Sequence, residues 1–129
     1  MSFLGLDVGT SGCKAVAFDE SGCQLAAAHR AYDLVHPQPG WAELDADEVC
    51  AASFDVIREA AAATKDVDPV AAMCISSQGE AFTPLDASGR ALSHAMVSSD
   101  SRAEALIEPF AERFGSDRLY RITGHTAHP

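Results

Sequence analysis

Two short apolar strands wrapped around Gly9-Thr10-Ser11-Gly12 constrain this chain more than any other feature of it. Phe3–Val8 and Cys13–Asp19 read as strands, with Asp7 just before the bend and Lys14 just after it. Glycines let a backbone approach a ligand closely, and successive N–H groups form a nest for an anion. Thr10 and Ser11 add hydroxyl donors, Asp7 is a hard oxygen ligand suited to Mg²⁺, and Lys14 supplies a point charge. The plain alternative is an ordinary hairpin connection, because Gly, Ser and Thr are common in turns. A bare hairpin, however, favours an Asn-Gly or Asp-Gly turn and has no need of an acid, two hydroxyls and a base around the bend. The loop is expected to hold the phosphates of a metal-bound nucleotide. It is not a Walker loop, because the spacing to Lys14 differs and a strand follows where a helix would be required.

The order of elements narrows the fold. A third strand is expected over 24–34, after a turn at Glu20-Ser21-Gly22, giving an antiparallel meander. His36-Pro37-Gln38-Pro39-Gly40 breaks the pattern as a loop. A helix is expected from Ala46, with Asp45 as N-cap, Glu48 completing a capping box, and Leu44 and Val49 placed for a hydrophobic staple. Val49, Ala52, Val56, Ile57 and Ala60 share one face of it. Val70–Ser76 then reads as a buried parallel strand. Meander, crossover helix and further strand make up the first part of a ribonuclease H-like α/β fold. A strand pair is expected at Phe82–Leu85 and Ala95–Val97. Ala103, Leu106, Ile107, Phe110, Ala111 and Phe114 form a helical stripe in which Pro109 would cost a hydrogen bond and kink or divide the helix. The period favours one helix and the proline favours two. A last short helix is expected over 117–123.

Charge and cysteines exclude several classes. Nine basic against nineteen acidic residues give −10. That balance repels nucleic acid and anionic membranes, and no basic cluster offsets it. Cys13, Cys23, Cys50 and Cys74 are scattered, without metal-ligand spacing, and Cys13 and Cys74 are expected to be small buried hydrophobes. No leader-like or membrane-length run is present, so a reducing, cytoplasmic setting is expected. The five histidines, His29, His36, His94, His125 and His128, are dispersed and read as surface or loop residues.

Two further motifs bear on the substrate. Ser76-Ser77-Gln78-Gly79-Glu80 falls where a strand ends, the place where ligands sit in open α/β sheets. Gln78 and Glu80 carry the donors and acceptors that vicinal hydroxyls need, although a polar turn of no chemical consequence fits equally. Asp100-Ser101-Arg102 is the second motif; its local alternative is a capping box of Ser101 with Glu104. Asp7-x-Gly9-Thr10-Ser11-x-x-Lys14, Pro39-Gly40-Trp41-Ala42-Glu43, the Gln78-Gly79-Glu80 turn, Asp100-x-Arg102, and Leu119-Tyr120 with Thr123-Gly124 occur in that order. Together they resemble the N-terminal portion of the FGGY carbohydrate kinases, the xylulokinase and glycerol kinase relatives within the actin-like ATPase superfamily.

The resemblance implies an ATP- and Mg²⁺-dependent kinase acting on a sugar or polyol. It assigns Asp7 to the metal, Gly9, Thr10, Ser11 and Lys14 to the phosphates, and Gln78, Glu80 and Asp100 to the substrate. Glycerol kinase relatives carry Gln-Arg-Glu at the turn and xylulokinase relatives Gln-Met-His; Gly79 here departs from both. Ser98 stands where the family usually has Trp. Trp41 is read as packing its loop. The resemblance places the general-base Asp, the second phosphate loop and the adenosine pocket downstream of Pro129. Residues 1–129 are therefore expected to form an incomplete first domain, inactive alone, with homo-oligomerisation left open. The alternatives are a non-catalytic nucleotide-binding module of the same superfamily and a ribonuclease H-like metal nuclease. The net charge and the Gly-Thr-Ser loop weigh against the nuclease.

Overall fold

The computed structural model describes all residues, Met1–Pro129. Its main sheet is built from β1 (Ser2–Val8), β2 (Gly12–Phe18), β3 (Gln24–Ala31) and β5 (Val70–Ser77) in the order β3-β2-β1-β5. The first three strands form the antiparallel meander, and β5 lies parallel to β1. Between them run β4 (Glu43–Leu44) and α1 (Ala46–Thr64); β6 (Ala95–Met96), α2 (Glu104–Phe114) and α3 (Ser116–Thr123) follow.

Alternation along β1 and β2 sets the core. Leu4, Leu6, Cys13, Ala15 and Ala17 turn to one face and are buried. Ala15 stands opposite Ala28, and Ala17 opposite Ala26. These small side chains let α1 lie close over the meander, where Val56 and Ala60 are sealed against it with Val49, Ala52 and Ile57 around them. The α1 start is the one its sequence specifies. Asp45 Oδ1 accepts from the N–H of Asp47 at 2.9 Å and of Glu48 at 3.2 Å, satisfying two of the orphan donors of the first turn. The return bond of a capping box, from the Asp45 N–H to the Glu48 carboxylate, is not made.

Three expectations are corrected, and one question left open is answered. The β5 strand is parallel, as its apolar run implies, but exposed rather than buried, and so is Cys74. It is the sheet edge, and α1 covers only the meander; Met73 and Ile75 are left 47% and 59% exposed. The third strand stops at Ala31 rather than running on to Leu34, and the next residue, Tyr32, donates its N–H to Ser11 O at 3.3 Å. Phe82–Leu85 and Ala95–Val97 do not form a regular pair. Instead β6 pairs with β4, with single bridges Phe82 to Met96 and Leu85 to Ala91. Finally, α2 runs unbroken through Pro109. At that place the proline ring forfeits only the bond to the Ala105 carbonyl, while Phe110 and Phe114 stack at 5.4 Å on the helix face. No helix is long and apolar enough to cross a membrane.

Candidate functional site

The β1–β2 connection is built to leave its amides free. The Gly9 N–H closes the loop on Gly12 O at 2.9 Å, whereas the next two N–H groups, of Thr10 and Ser11, donate to nothing in the chain. Two adjacent unpaired amides at a glycine-rich bend make a concavity for an anion. Gly12 is required by its neighbours: a Cβ there would lie 2.6 Å from Arg30 O and 2.9 Å from His29 Nε2. The β3 backbone thus presses directly against the loop.

Asp7 and Lys14 stand opposite one another in register, and Ser76 of β5 stands opposite Asp7 on the other side. This row lies on the sheet face away from α1. Neither the Asp7 carboxylate nor the Lys14 ammonium hydrogen-bonds or ion-pairs within the chain, and Asp7 Oδ2 lies 3.9 Å from the position a Cβ would take on Gly9. A free carboxylate and a free ammonium therefore flank the free amides. No group of three or more His, Cys, Asp or Glu side chains converges on a single point. The donor set at Asp7 suits a hard cation that takes its remaining ligands from phosphate and water, as Mg²⁺ does.

Sequence reasoning missed the prop beneath this loop. Tyr32 is 4% exposed and donates its hydroxyl to Gly9 O at 2.7 Å. Burial, with Cys13 and Asp7 nearby, pushes its pKa up to about 12, so the phenol keeps its proton and remains a donor. The available signal was an aromatic with a polar tip continuing the inward period of β3 past Ala28. Tyr32→Phe keeps the packing and deletes the bond. It is expected to lower unfolding free energy by about 1 kcal/mol in a denaturant titration, and an unchanged midpoint would show that the bond contributes nothing.

The second motif is joined to the first. The Gln78 N–H donates to Val8 O at 2.9 Å, continuing the β1–β5 ladder by one bond. The Thr10 hydroxyl donates to Gln78 Oε1 at 3.0 Å, across 68 residues of sequence. Glu80, two residues on, has φ of 65°, the only non-glycine residue in the left-handed region. Such a conformation costs about 1–3 kcal/mol and tends to occur where a turn is positioned for a purpose. Beside Gln78 lies a cavity of ≈ 250 Å³ whose lining includes Val8, Leu44, Val49, Ala81 and Phe82. A larger one, ≈ 790 Å³, lies between α2, α3 and residues 125–129 and reaches the turn only at Glu80.

Asp100 is placed differently. Its Oδ2 accepts from the Ala42 N–H at 2.8 Å and Arg102 Nη2 at 2.7 Å; its Oδ1 accepts from Arg102 N–H at 3.0 Å and Nε at 2.8 Å. Arg102 Nη2 also reaches Glu43 Oε1 at 2.6 Å, and the guanidinium lies 3.7 Å over the Trp41 ring. The Arg102 guanidinium holds the Asp100 carboxyl well below the usual range. No hydrogen bond links this cluster to Thr10 or Gln78. The Trp41 ring contacts Arg102, and Ser101 Oγ donates to Gly40 O at 3.1 Å rather than capping α2.

The chain's structural neighbours are sugar kinases of the actin-like ATPase fold, and this sheet order is of that class. The model of the FGGY family of carbohydrate kinases, N-terminal domain, matches residues 2–129, and the chain belongs to this family. It is 35% identical over 128 residues to a glycerol kinase of Methylibium petroleiphilum, covering 98% of this chain and 26% of that protein. It is 32% identical over 131 residues to the L-xylulose/3-keto-L-gulonate kinase of Escherichia coli, covering 98% of this chain and 26% of that protein. A crystal structure described as a xyloylose kinase from Brucella ovis superposes with a TM-score of 0.85 at 33% identity, covering 100% of this chain and 26% of that one. The chain thus spans about a quarter of the length of the relatives it matches.

Proposed function

We propose that this chain supplies the first phosphate loop and part of the carbohydrate-binding surface of an ATP-dependent sugar or polyol kinase. The observation that carries the reading is the pair of free amides at Thr10 and Ser11, flanked by the unpaired Asp7 and Lys14 and joined to the Gln78 turn. Phosphoryl transfer is catalysed mainly by positioning and by charge stabilisation, and these groups offer both. The amides of Thr10 and Ser11 and the Ser11 hydroxyl bind phosphate oxygens, and Lys14 offsets their charge. Asp7 would hold Mg²⁺, which would supply charge neutralisation for the phosphates. Gln78 and Glu80 hydrogen-bond the hydroxyls of the acceptor.

Asp100 takes a supporting part in this reading. With both oxygens engaged by Arg102 and Ala42, it fixes the 40–44 segment, so that β4 supports β6 and the residues beyond the turn. The relatives are named for a polyol and for sugars, and Gly79 leaves the turn without a basic side chain, so the acceptor class is carbohydrate without further restriction. Net charge of −10 supports a small-molecule acceptor over a polynucleotide. The test is a coupled ADP-release screen of the full open reading frame that encodes this chain, over pentoses, hexoses and polyols with Mg-ATP. Carbohydrate-dependent release is expected, and none from residues 1–129 alone. Nucleotide binding without turnover of any acceptor would favour a non-catalytic nucleotide-binding module instead.

A further inference from the structure

The Thr10 side chain sits on the phosphate loop, yet its only hydroxyl proton is committed elsewhere. It is donated to Gln78 Oε1 at 3.0 Å, and the Gln78 backbone is independently fixed by its N–H bond to Val8 O at 2.9 Å. A primary amide has one acceptor end and one donor end, and its orientation follows from its partners. With the backbone tied to β1 and Oε1 held by Thr10, the Gln78 amide has one orientation left. Its Nε2 group makes no hydrogen bond within the chain.

We infer that Thr10 is a positioning residue of the carbohydrate subsite, acting through Gln78. By holding Oε1 it presents the Gln78 Nε2 protons to the acceptor and so selects a carbohydrate oxygen that accepts a hydrogen bond at that place. The inference rests on the functional reading above and extends it, because it moves the Thr10 hydroxyl from the nucleotide side of the site to the carbohydrate side. Thr10 then serves the phosphates through its free N–H, which a side-chain substitution leaves in place. The two subsites meet in a single residue, whose backbone N–H faces the phosphates and whose hydroxyl acts on the carbohydrate through Gln78.

Two measurements test it. In the full open reading frame, Thr10→Val removes the hydroxyl at nearly constant shape, and Thr10→Ser keeps it. With glycerol, L-xylulose and gluconate as acceptors, Thr10→Val is expected to raise the carbohydrate KM about tenfold at unchanged kcat, with the Mg-ATP KM within about twofold of wild type. Thr10→Ser should restore the carbohydrate KM. A rise confined to the Mg-ATP KM, or equal rises in both, would overturn the inference while leaving the kinase reading intact. Absence of turnover of any acceptor by the wild type would instead count against the kinase reading.

The second measurement stands apart from activity. In residues 1–129, the side-chain NH₂ resonances of Gln78, followed by ¹H–¹⁵N NMR, are expected to shift in Thr10→Val and to stay in place in Thr10→Ser. Identical Gln78 side-chain resonances in all three proteins would show that Thr10 does not position the amide, and would overturn the inference whatever the kinetics.

Discussion

Asp7→Asn in the full open reading frame is expected to lower kcat/KM for carbohydrate phosphorylation by a factor on the order of 10²–10³, with little change in melting temperature. The size follows from the role. Amide and carboxylate are nearly isosteric, so the β1 backbone and its pairing with β2 and β5 are undisturbed. What is lost is the anionic oxygen placed against Gly9 at the foot of the loop, the one proposed to hold the metal. A hard divalent cation binds a neutral amide oxygen more weakly than a carboxylate. The stability forecast follows from the same geometry: Asp7 is exposed and makes no ion pair, so folding does not draw on its charge. Raising Mg²⁺ should recover part of the lost rate. Wild-type turnover in Asp7→Asn would remove Asp7 from the metal, and a large fall in melting temperature would mean that its role is structural.

Asp100→Ala is expected to cause the largest loss of stability among polar substitutions in the chain. The carboxylate satisfies four N–H groups from Ala42 and Arg102. Removing it orphans the Ala42 amide and leaves the Arg102 guanidinium with only Glu43 and the Trp41 ring. The joint between the 40–44 segment and residues 97–102 then loosens, and with it the β4–β6 pairing. Acid should reproduce the effect in the wild type. The folded-state pKa of Asp100 is depressed by Arg102, so the unfolded chain takes up this proton first as pH falls. Its contribution is fully present above the ordinary aspartate value of about 3.9 and is lost progressively as pH drops below that toward the depressed value. Thermal melts from neutral pH downward should show the wild type losing stability in that window more steeply than Asp100→Ala. Parallel curves would contradict the assignment.

The sequence was most informative where local chemistry decides structure. The β1–loop–β2 unit follows from alternation around a glycine-rich bend, and the start of α1 from Asp45, whose side chain caps it as its position implies. Patterning also identified the apolar run of β5 and the apolar stripe of α2 but not what lies against them. An apolar run in a strand declares which residues avoid water and is silent about the partner, so Met73, Cys74 and Ile75 were read as buried although α1 stops short of them. Long-range pairings were equally out of reach. Nothing in 24–34 announces that Tyr32 reaches back to Gly9, and nothing in 76–80 announces that Gln78 meets Thr10. Both are consequences of sheet order, which places β3 and β5 on opposite sides of the loop. Asp100 illustrates a different limit. Its motif singled it out as polar and important, but a carboxylate held by Arg102 and one held ready for a ligand look the same in one dimension.

The phosphate-binding assignment of Gly9–Gly12 supports the rest of the account and can be tested on the chain itself. Titrating residues 1–129 with millimolar Mg-ADP and following the backbone amides by ¹H–¹⁵N NMR addresses it directly. The account predicts dose-dependent shifts concentrated at Thr10, Ser11 and their neighbours in the loop, and their loss when Mg²⁺ is chelated. Shifts that leave the Thr10 and Ser11 amides unmoved and gather elsewhere on the surface would contradict it.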